Sequence, residues 1–223
     1  MRILVTAGPT REFFDSVRFI SNPSSGKMGY AIAADAARRA HDVTLISGPV
    51  DLAEPPGVKV IRVIGAAEMF HACVAAFGEC QACVMTAAVC DYRPARPLAH
   101  KLRKQGRPRQ LRLIPTRDIL AHLGTVKESR VLVGFAMEDR DARRRAKSKL
   151  MRKGCDAIVR NGLGNVGADA AEVEFLRRGG EWTGPLRGTK GEIASAVMDL
   201  LEELAGRVKK TVPQTRAAGR TLA

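Results

Sequence analysis

Within residues 22–29 the chain reads NPSSGKMG, which sets an amide, two hydroxyls, an ammonium and two glycines in one short run. Those residue types at that spacing suit the holding of an anion. The hydroxyls of Ser24 or Ser25 can cap a helix that continues through Met28, Ile32, Ala33 and Ala36, apolar residues at helical spacing. The unpaired N–H groups of such a helix start, approached closely at Gly26 and Gly29, make a phosphate site, and Lys27 adds a charge there. A buried strand at 3–6 (ILVT) precedes the run, and the turn through Ala7, Gly8, Pro9 and Thr10 leads away from it. The dinucleotide fingerprint GxGxxG is absent, since residues 9–23 separate Gly8 from the serine-glycine run. The phosphate turn is split by an insertion.

A second constellation lies at 87–94 (AAVCDYRP), at the carboxyl end of a later strand, where open α/β sheets place their ligand crevice. Asp91 there is suited to a ribose hydroxyl, a base amine or a metal, and equally to capping a turn. Ten residues on, Lys101 stands in a segment with Arg103, Lys104, Gly106, Arg107, Pro108 and Arg109, a basic loop able to close over polyphosphate. At 134–136 (GFA), again a strand end, the Phe135 ring could stack on a base or fill the core. Lys149 and Lys153 are four apart and share a helix face, where with Arg152 they could meet a triphosphate or water.

These residues must be positioned by a sheet. Apolar runs at 43–47, 58–63, 82–87 and 130–136 alternate with helical stretches at 66–77 and 140–153, which predicts parallel strands covered on both faces. In the 66–77 helix Phe70, Val74 and Phe77 are expected on one face. Residues 157–160 then lead to a hairpin with arms at 172–176 and at Trp182, followed by a last helix at 190–204. The expected class is α/β, a Rossmann-like mixed, mainly parallel sheet with helices on both faces and a small antiparallel hairpin or flap extension.

The 223 residues, 45% hydrophobic, fit one nucleotide-binding domain at 1–206, with a basic tail at 207–223 that lacks apolar periodicity and is expected to be disordered. No apolar window reaches the length of a membrane span, and MRILVT enters the first strand at once, leaving no room for a signal peptide. A cytoplasmic location is the expectation. The five cysteines, at 73, 80, 83, 90 and 155, are odd in number and argue against a disulfide framework. Cys73, Cys80, Cys83 and Cys90 fall across a helix, its turn and a strand rather than on paired zinc knuckles, so free thiols are expected and no metal ligand is assigned. A net charge of +14 invites a nucleic-acid reading, but aromatics are only 4% and the charge is scattered, which leaves few stacking platforms.

Order and spacing together resemble phosphopantothenate-cysteine ligase, also called phosphopantothenoylcysteine synthetase, the C-terminal domain family of the bacterial bifunctional coenzyme A biosynthesis flavoprotein. The matching stretches are VTAGPTRE (5–12), VRFISN (17–22), SSGKMG (24–29), VTLISGP (43–49), AAVCDYRP (87–94), KLRK (101–104), VGFA (133–136) and KLMRK (149–153). The resemblance implies a ligase that uses CTP, or ATP as in eukaryotic members, with Mg²⁺ on the phosphates. The carboxylate of 4'-phosphopantothenate attacks the α-phosphate, and the amine of L-cysteine then displaces the nucleoside monophosphate. It assigns catalysis to Lys101, the family's flap lysine, and to Asn22, which would donate to the acyl carbonyl without ionising. It places Arg18 with Asn22 at the substrate, and Gly8, Ser24, Ser25, Gly26, Gly29, Ala87, Ala88, Asp91, Phe135, Lys149 and Lys153 at the nucleotide.

Many bacterial members of that family follow a flavin-dependent decarboxylase, so this chain is expected to be free-standing or an excised domain with a functional link to such an enzyme. A homodimer is implied, with the flap and the hairpin after Asn161 reaching the other subunit's site, and no membrane or specific nucleic acid as partner. Departures fall at Thr116-Arg117-Asp118-Ile119, where Asn-Pro-Asp-Ile is usual, at Cys90 and Met137 in place of alanine, at Asn161-Gly162, and across 168–172. They leave an inactive or substrate-altered relative as the alternative, but Asn22 and Lys101 are intact. A nicotinamide oxidoreductase fits less well, because Ser47-Gly48 ends the strand where an acidic ribose ligand would stand.

Overall fold

The computed structural model describes residues 1–165 and 167–211. β1 (Arg2–Ala7) is followed by a short hairpin, β2 (Arg11–Phe13) and β3 (Phe19–Ser21), then α1 (Lys27–Arg38), β4 (Asp42–Ser47), β5 (Val58–Arg62), α2 (Ala66–Phe77) and β6 (Ala82–Met85). A second hairpin, β7 (Tyr92–Pro94) and β8 (Leu113–Pro115), brackets the basic loop. α3 (Ile119–Thr125), β9 (Val131–Met137), α4 (Ala142–Arg152), β10 (Ala157–Asn161), β11 (Ala170–Arg177), β12 (Trp182–Thr189) and α5 (Lys190–Thr211) complete the described chain.

The main sheet runs β5-β4-β1-β6-β9-β10-β11-β12. Its strands are parallel from β5 to β10, and β11 and β12 close the edge antiparallel. The chain leaves β1 for β4 and β5 on one side and returns past it to β6 on the other. That reversal opens a crevice at the carboxyl ends of β1 and β6, where sheets of this kind bind ligands.

Alternation along the strands feeds two cores. Ile3, Val5 and Ala7 of β1 face Tyr30, Ile32, Ala33 and Ala36 of α1 and Ile193, Val197 and Leu201 of α5. Leu4 and Ile46 face the opposite way, toward Met69, Phe70, Cys73 and Phe77 of α2, Leu123 of α3 and Leu150 of α4. Fully burying a side chain such as Ile32 contributes about 2 kcal/mol, so this double facing holds the sheet between its helices.

Several expectations are revised. The buried stripe of α2 passes through Met69, Phe70, Cys73 and Phe77, and Val74 is 40% exposed. α1 begins at Lys27 with Gly26 as its N-cap in the left-handed region (φ 75°), and no side chain caps it; Ser24 Oγ accepts only from Gly26 N–H, at 3.4 Å. α5 runs five residues past the expected domain end at 206, and the tail at 212–223 lies outside the described residues. All five cysteines are buried free thiols. Burial pushes Cys73 up to about 12 and Cys80 and Cys155 up to about 11, so these thiols stay protonated and inert at neutral pH. Among the described residues no helix is long and apolar enough to cross a membrane.

Candidate active site

The centre of the crevice is built by close backbone approach. The N–H groups of Lys27, Met28 and Gly29 precede the first intrahelical bond of α1, from Tyr30 N–H to Gly26 O (3.2 Å), and so remain available at the helix start. Gly29 lets that start sit on β1: a Cβ there would come within 2.5 Å of both Ala7 Cβ and Thr86 Oγ1. Gly26 packs beside Gly8 in the same way, a Cβ at Gly26 lying 3.4 Å from Gly8 Cα. The segment after β6 is stitched to the turn after β1. Ala87 N–H donates to Thr6 Oγ1 (3.2 Å), Ala88 N–H to Gly8 O (2.9 Å) and Cys90 N–H to Thr10 Oγ1 (3.0 Å).

Asn22 enters this centre from the end of β3. Its Nδ2 donates to Ala88 O and Val89 O, each at 3.1 Å. Two carbonyl acceptors can only be met by the amide nitrogen, which fixes the orientation of the group. The expected donation to a substrate carbonyl is therefore already used within the protein. The exposed residue presents Oδ1, an acceptor fit for an amine or amide N–H.

Neighbouring elements bring further groups to the same edge. The half-buried Phe135 packs on the α1 side of β9, and its carbonyl accepts from Lys149 Nζ at 2.7 Å. Burial pushes the Lys149 ammonium below its ordinary value, against the pull of Glu138 and Asp91, which raise it. Asp91 is exposed, its carbonyl taking Thr116 N–H at 2.9 Å. Lys149 also lines an open cavity of about 270 Å³ with Glu138, Arg144, Arg145, Ser148 and Arg152, a basic enclosure on α4.

Other expected site residues point elsewhere. Lys153 pairs with Asp118, so it does not share a target with Lys149. Lys27 reaches away from the helix start to Asp169 Oδ1 (2.5 Å) and Gly167 O (3.4 Å). Arg18 donates to Asp15 and to Leu102 O, which leaves Nη1 as its uncommitted group. Lys101 is exposed on the loop between β7 and β8, and no hydrogen bond or ion pair engages its side chain among the described residues. Among those residues no group of three or more His, Cys, Asp or Glu gathers as a metal cluster.

Residues 1–204 match the family model described as the DNA/pantothenate metabolism flavoprotein C-terminal domain. The chain belongs to that family. The coenzyme A biosynthesis bifunctional protein CoaBC of Haemophilus influenzae is 40% identical over 216 residues, 95% of this chain and 53% of the relative. That of Bacillus subtilis is 39% identical over 215 residues, 94% of this chain and 52% of the relative. The chain spans about half the length of the curated relatives it matches. Among solved structures, the C-terminal domain of a coenzyme A biosynthesis bifunctional protein CoaBC has a TM-score of 0.79 at 37% identity, covering 92% of this chain and 96% of that one. The fold is shared with a Cab2 mutant in complex with phosphopantothenate-cysteine (TM-score 0.75, 17% identity, covering 93% and 88%).

In this member of the DNA/pantothenate metabolism flavoprotein C-terminal domain family, sequence reasoning missed the residues that fasten the crevice. Thr6 and Thr10 are fully buried, and each hydroxyl accepts a backbone N–H from the segment after β6. Threonines inside a buried strand and its turn were the available signal. Asp15 was missed as well; the only hint was an aspartate two and three residues before the N–H groups it accepts.

Proposed function

We propose that this chain joins 4'-phosphopantothenate to L-cysteine at the expense of a nucleoside triphosphate, CTP or ATP. The substrate carboxylate attacks the α-phosphorus and expels pyrophosphate, giving an acyl-nucleotidylate. The cysteine amine then attacks the acyl carbon, the C–O bond breaks, and the nucleoside monophosphate leaves. Family membership and relatives of about 40% identity named for coenzyme A biosynthesis support the reading.

The observation that carries it is the convergence of Asn22, the start of α1 and the Ala87-Ala88 segment at the point where the sheet reverses direction. Joining a carboxylate to a triphosphate demands that converging negative charge be offset. The free N–H groups at the start of α1, beside Gly8, Ser24 and Ser25, would take phosphate oxygens. Lys101 would swing in to meet the charge that develops at the α-phosphorus. Phe135, Asp91 and Lys149 would hold the nucleoside, with the basic enclosure on α4 near its phosphates, and Lys153 would act through Asp118. Asn22 Oδ1 would accept from the incoming amine, orienting it toward the acyl carbon, and Arg18 Nη1 would reach the substrate. Mg²⁺ supplies charge neutralisation when it arrives with the triphosphate.

Exposed Tyr92, Leu98, Leu111 and Leu113 flank the basic loop and support pairing of two chains around it. A cytoplasmic setting and a link to a decarboxylase belong to the same proposal. Incubation with 4'-phosphopantothenate, L-cysteine, Mg²⁺ and CTP or ATP should yield 4'-phosphopantothenoylcysteine and nucleoside monophosphate in equal amounts by mass spectrometry. No amide product with either nucleotide would overturn it.

A further inference from the structure

The tip of the β2–β3 hairpin holds a carboxylate whose side chain is fully buried, Asp15. Its Oδ1 accepts the N–H groups of Val17 (2.9 Å) and Arg18 (2.8 Å), and its Oδ2 accepts Arg18 Nε–H (2.9 Å) and Leu102 N–H (3.0 Å). Arg18 Nη2 in turn donates to Leu102 O at 2.5 Å. Leu102 is thus clasped through both its backbone groups, and it directly follows Lys101. A second tie joins Leu98 N–H to Phe14 O at 2.9 Å. From the same tip β3 runs to Ser21, directly before Asn22. One short hairpin therefore links Asn22 to the root of the basic loop.

We propose that Asp15 is a positioning residue that, through Leu102, fixes the root of the loop relative to Asn22 and so sets where the Lys101 ammonium can reach. The proposal rests on the ligase reading for what Lys101 does, but not for where the loop is tied. Residues 103–110 are all exposed, and their side-chain bonds are internal, from Arg107 and Arg109 to Gln105. Without the clasp on Leu102, the free span would lengthen, and the effective concentration of Lys101 at the crevice would fall. The charge on Asp15 matches this duty. Burial alone would raise its pKa, but the N–H groups of Arg18, Leu102 and Val17 and the Arg18 guanidinium outweigh that and hold it well below the usual carboxylate range.

Asp15→Asn separates the clasp from the hairpin turn. An amide oxygen can still accept from Val17 and Arg18 N–H, whereas the amide nitrogen facing Leu102 N–H and Arg18 Nε cannot accept at all. Leu102→Pro removes the Leu102 N–H while leaving Asp15 and Arg18 intact, holds residues 101 and 102 in extended backbone, and serves if the first variant fails to fold. Either variant, folded by its melting transition, should be cut by trypsin after Arg103 and Lys104 several-fold faster than the native chain. Phosphopantothenate-dependent pyrophosphate release should slow by roughly 10–100-fold, in the range of a displaced catalytic group, with the KM for phosphopantothenate little changed in Leu102→Pro and raised in Asp15→Asn, where Arg18 also loses a partner. Combined with Lys101→Gln, Leu102→Pro should not slow release further, because both act through one group. An unchanged tryptic rate, or losses that multiply in the double variant, would overturn the proposal. Absence of pyrophosphate release from the native chain would instead count against the ligase reading, and the tryptic rates would still decide the clasp.

Discussion

Replacing Gly29 by alanine measures how closely α1 must sit on β1 for the crevice to exist. An added Cβ would lie 2.5 Å from Ala7 Cβ, 2.5 Å from Thr86 Oγ1 and 2.9 Å from Thr6 O. Two of those neighbours are fixed to β1 itself, so they cannot swing aside, and overpacking of this kind costs about 1–3 kcal/mol. Helix propensity acts in the opposite direction, since alanine is favoured over glycine by at most about 1 kcal/mol. With that offset taken in full, a net loss of up to about 2 kcal/mol follows, or a fall in Tm of up to about 8 °C for a chain of this size. Calorimetry of the two proteins at one pH gives the number directly. Relief of the clash by outward movement of α1 would also carry its free N–H groups away from the phosphates, so the nucleotide KM should rise. A Tm above the native value would show that propensity dominates and that the tight seating of α1 has no energetic weight.

Lys101→Gln should slow phosphopantothenate-dependent pyrophosphate release by roughly a hundredfold or more, the range for loss of one transition-state donor, and a near-native burst would remove Lys101 from the first step. Asn22→Asp would set a carboxylate oxygen against Ala88 O and Val89 O, so amide formation should fall by roughly a hundredfold or more in a coupled assay; unchanged turnover would dismiss Asn22. The buried Glu174 is held below its ordinary value of 4.5 by hydrogen bonds from Arg143, against burial and with help from Arg160. Its contribution to stability is present above 4.5 and lost as pH falls through the lower folded value, so urea stability should drop from about pH 5 downward, with a shallower slope in Glu174→Gln. Equal slopes would exclude Glu174 as a source of the acid sensitivity.

The parallel strands were legible because most are apolar runs, and β1, β4, β5 and β9 lie within a residue or so of their expected limits. The hairpins β2–β3 and β7–β8 were not legible. Each arm has only three residues, too few for alternation to show. α3 went unread although Asp118 caps it, its side chain accepting Ala121 N–H at 2.9 Å, because the helix has only seven residues. Val74 was misplaced since Phe70 lies at the edge of the apolar stripe rather than its middle, which carries the stripe through Met69 and Cys73. Within the site, the glycine-spaced helix start was visible as residue types. The outward face of Asn22, the Leu102 carbonyl taken by Arg18 and the partners of Lys27 and Lys153 depend on groups far away in sequence, which no local pattern encodes.

Pyrophosphate release from the purified chain, with Mg²⁺, CTP or ATP and 4'-phosphopantothenate, with and without L-cysteine, tests the central claim most directly. Release should require phosphopantothenate, occur without cysteine as a burst stoichiometric with sites, and become continuous when cysteine is added. No release with either nucleotide, or release indifferent to phosphopantothenate, would contradict it.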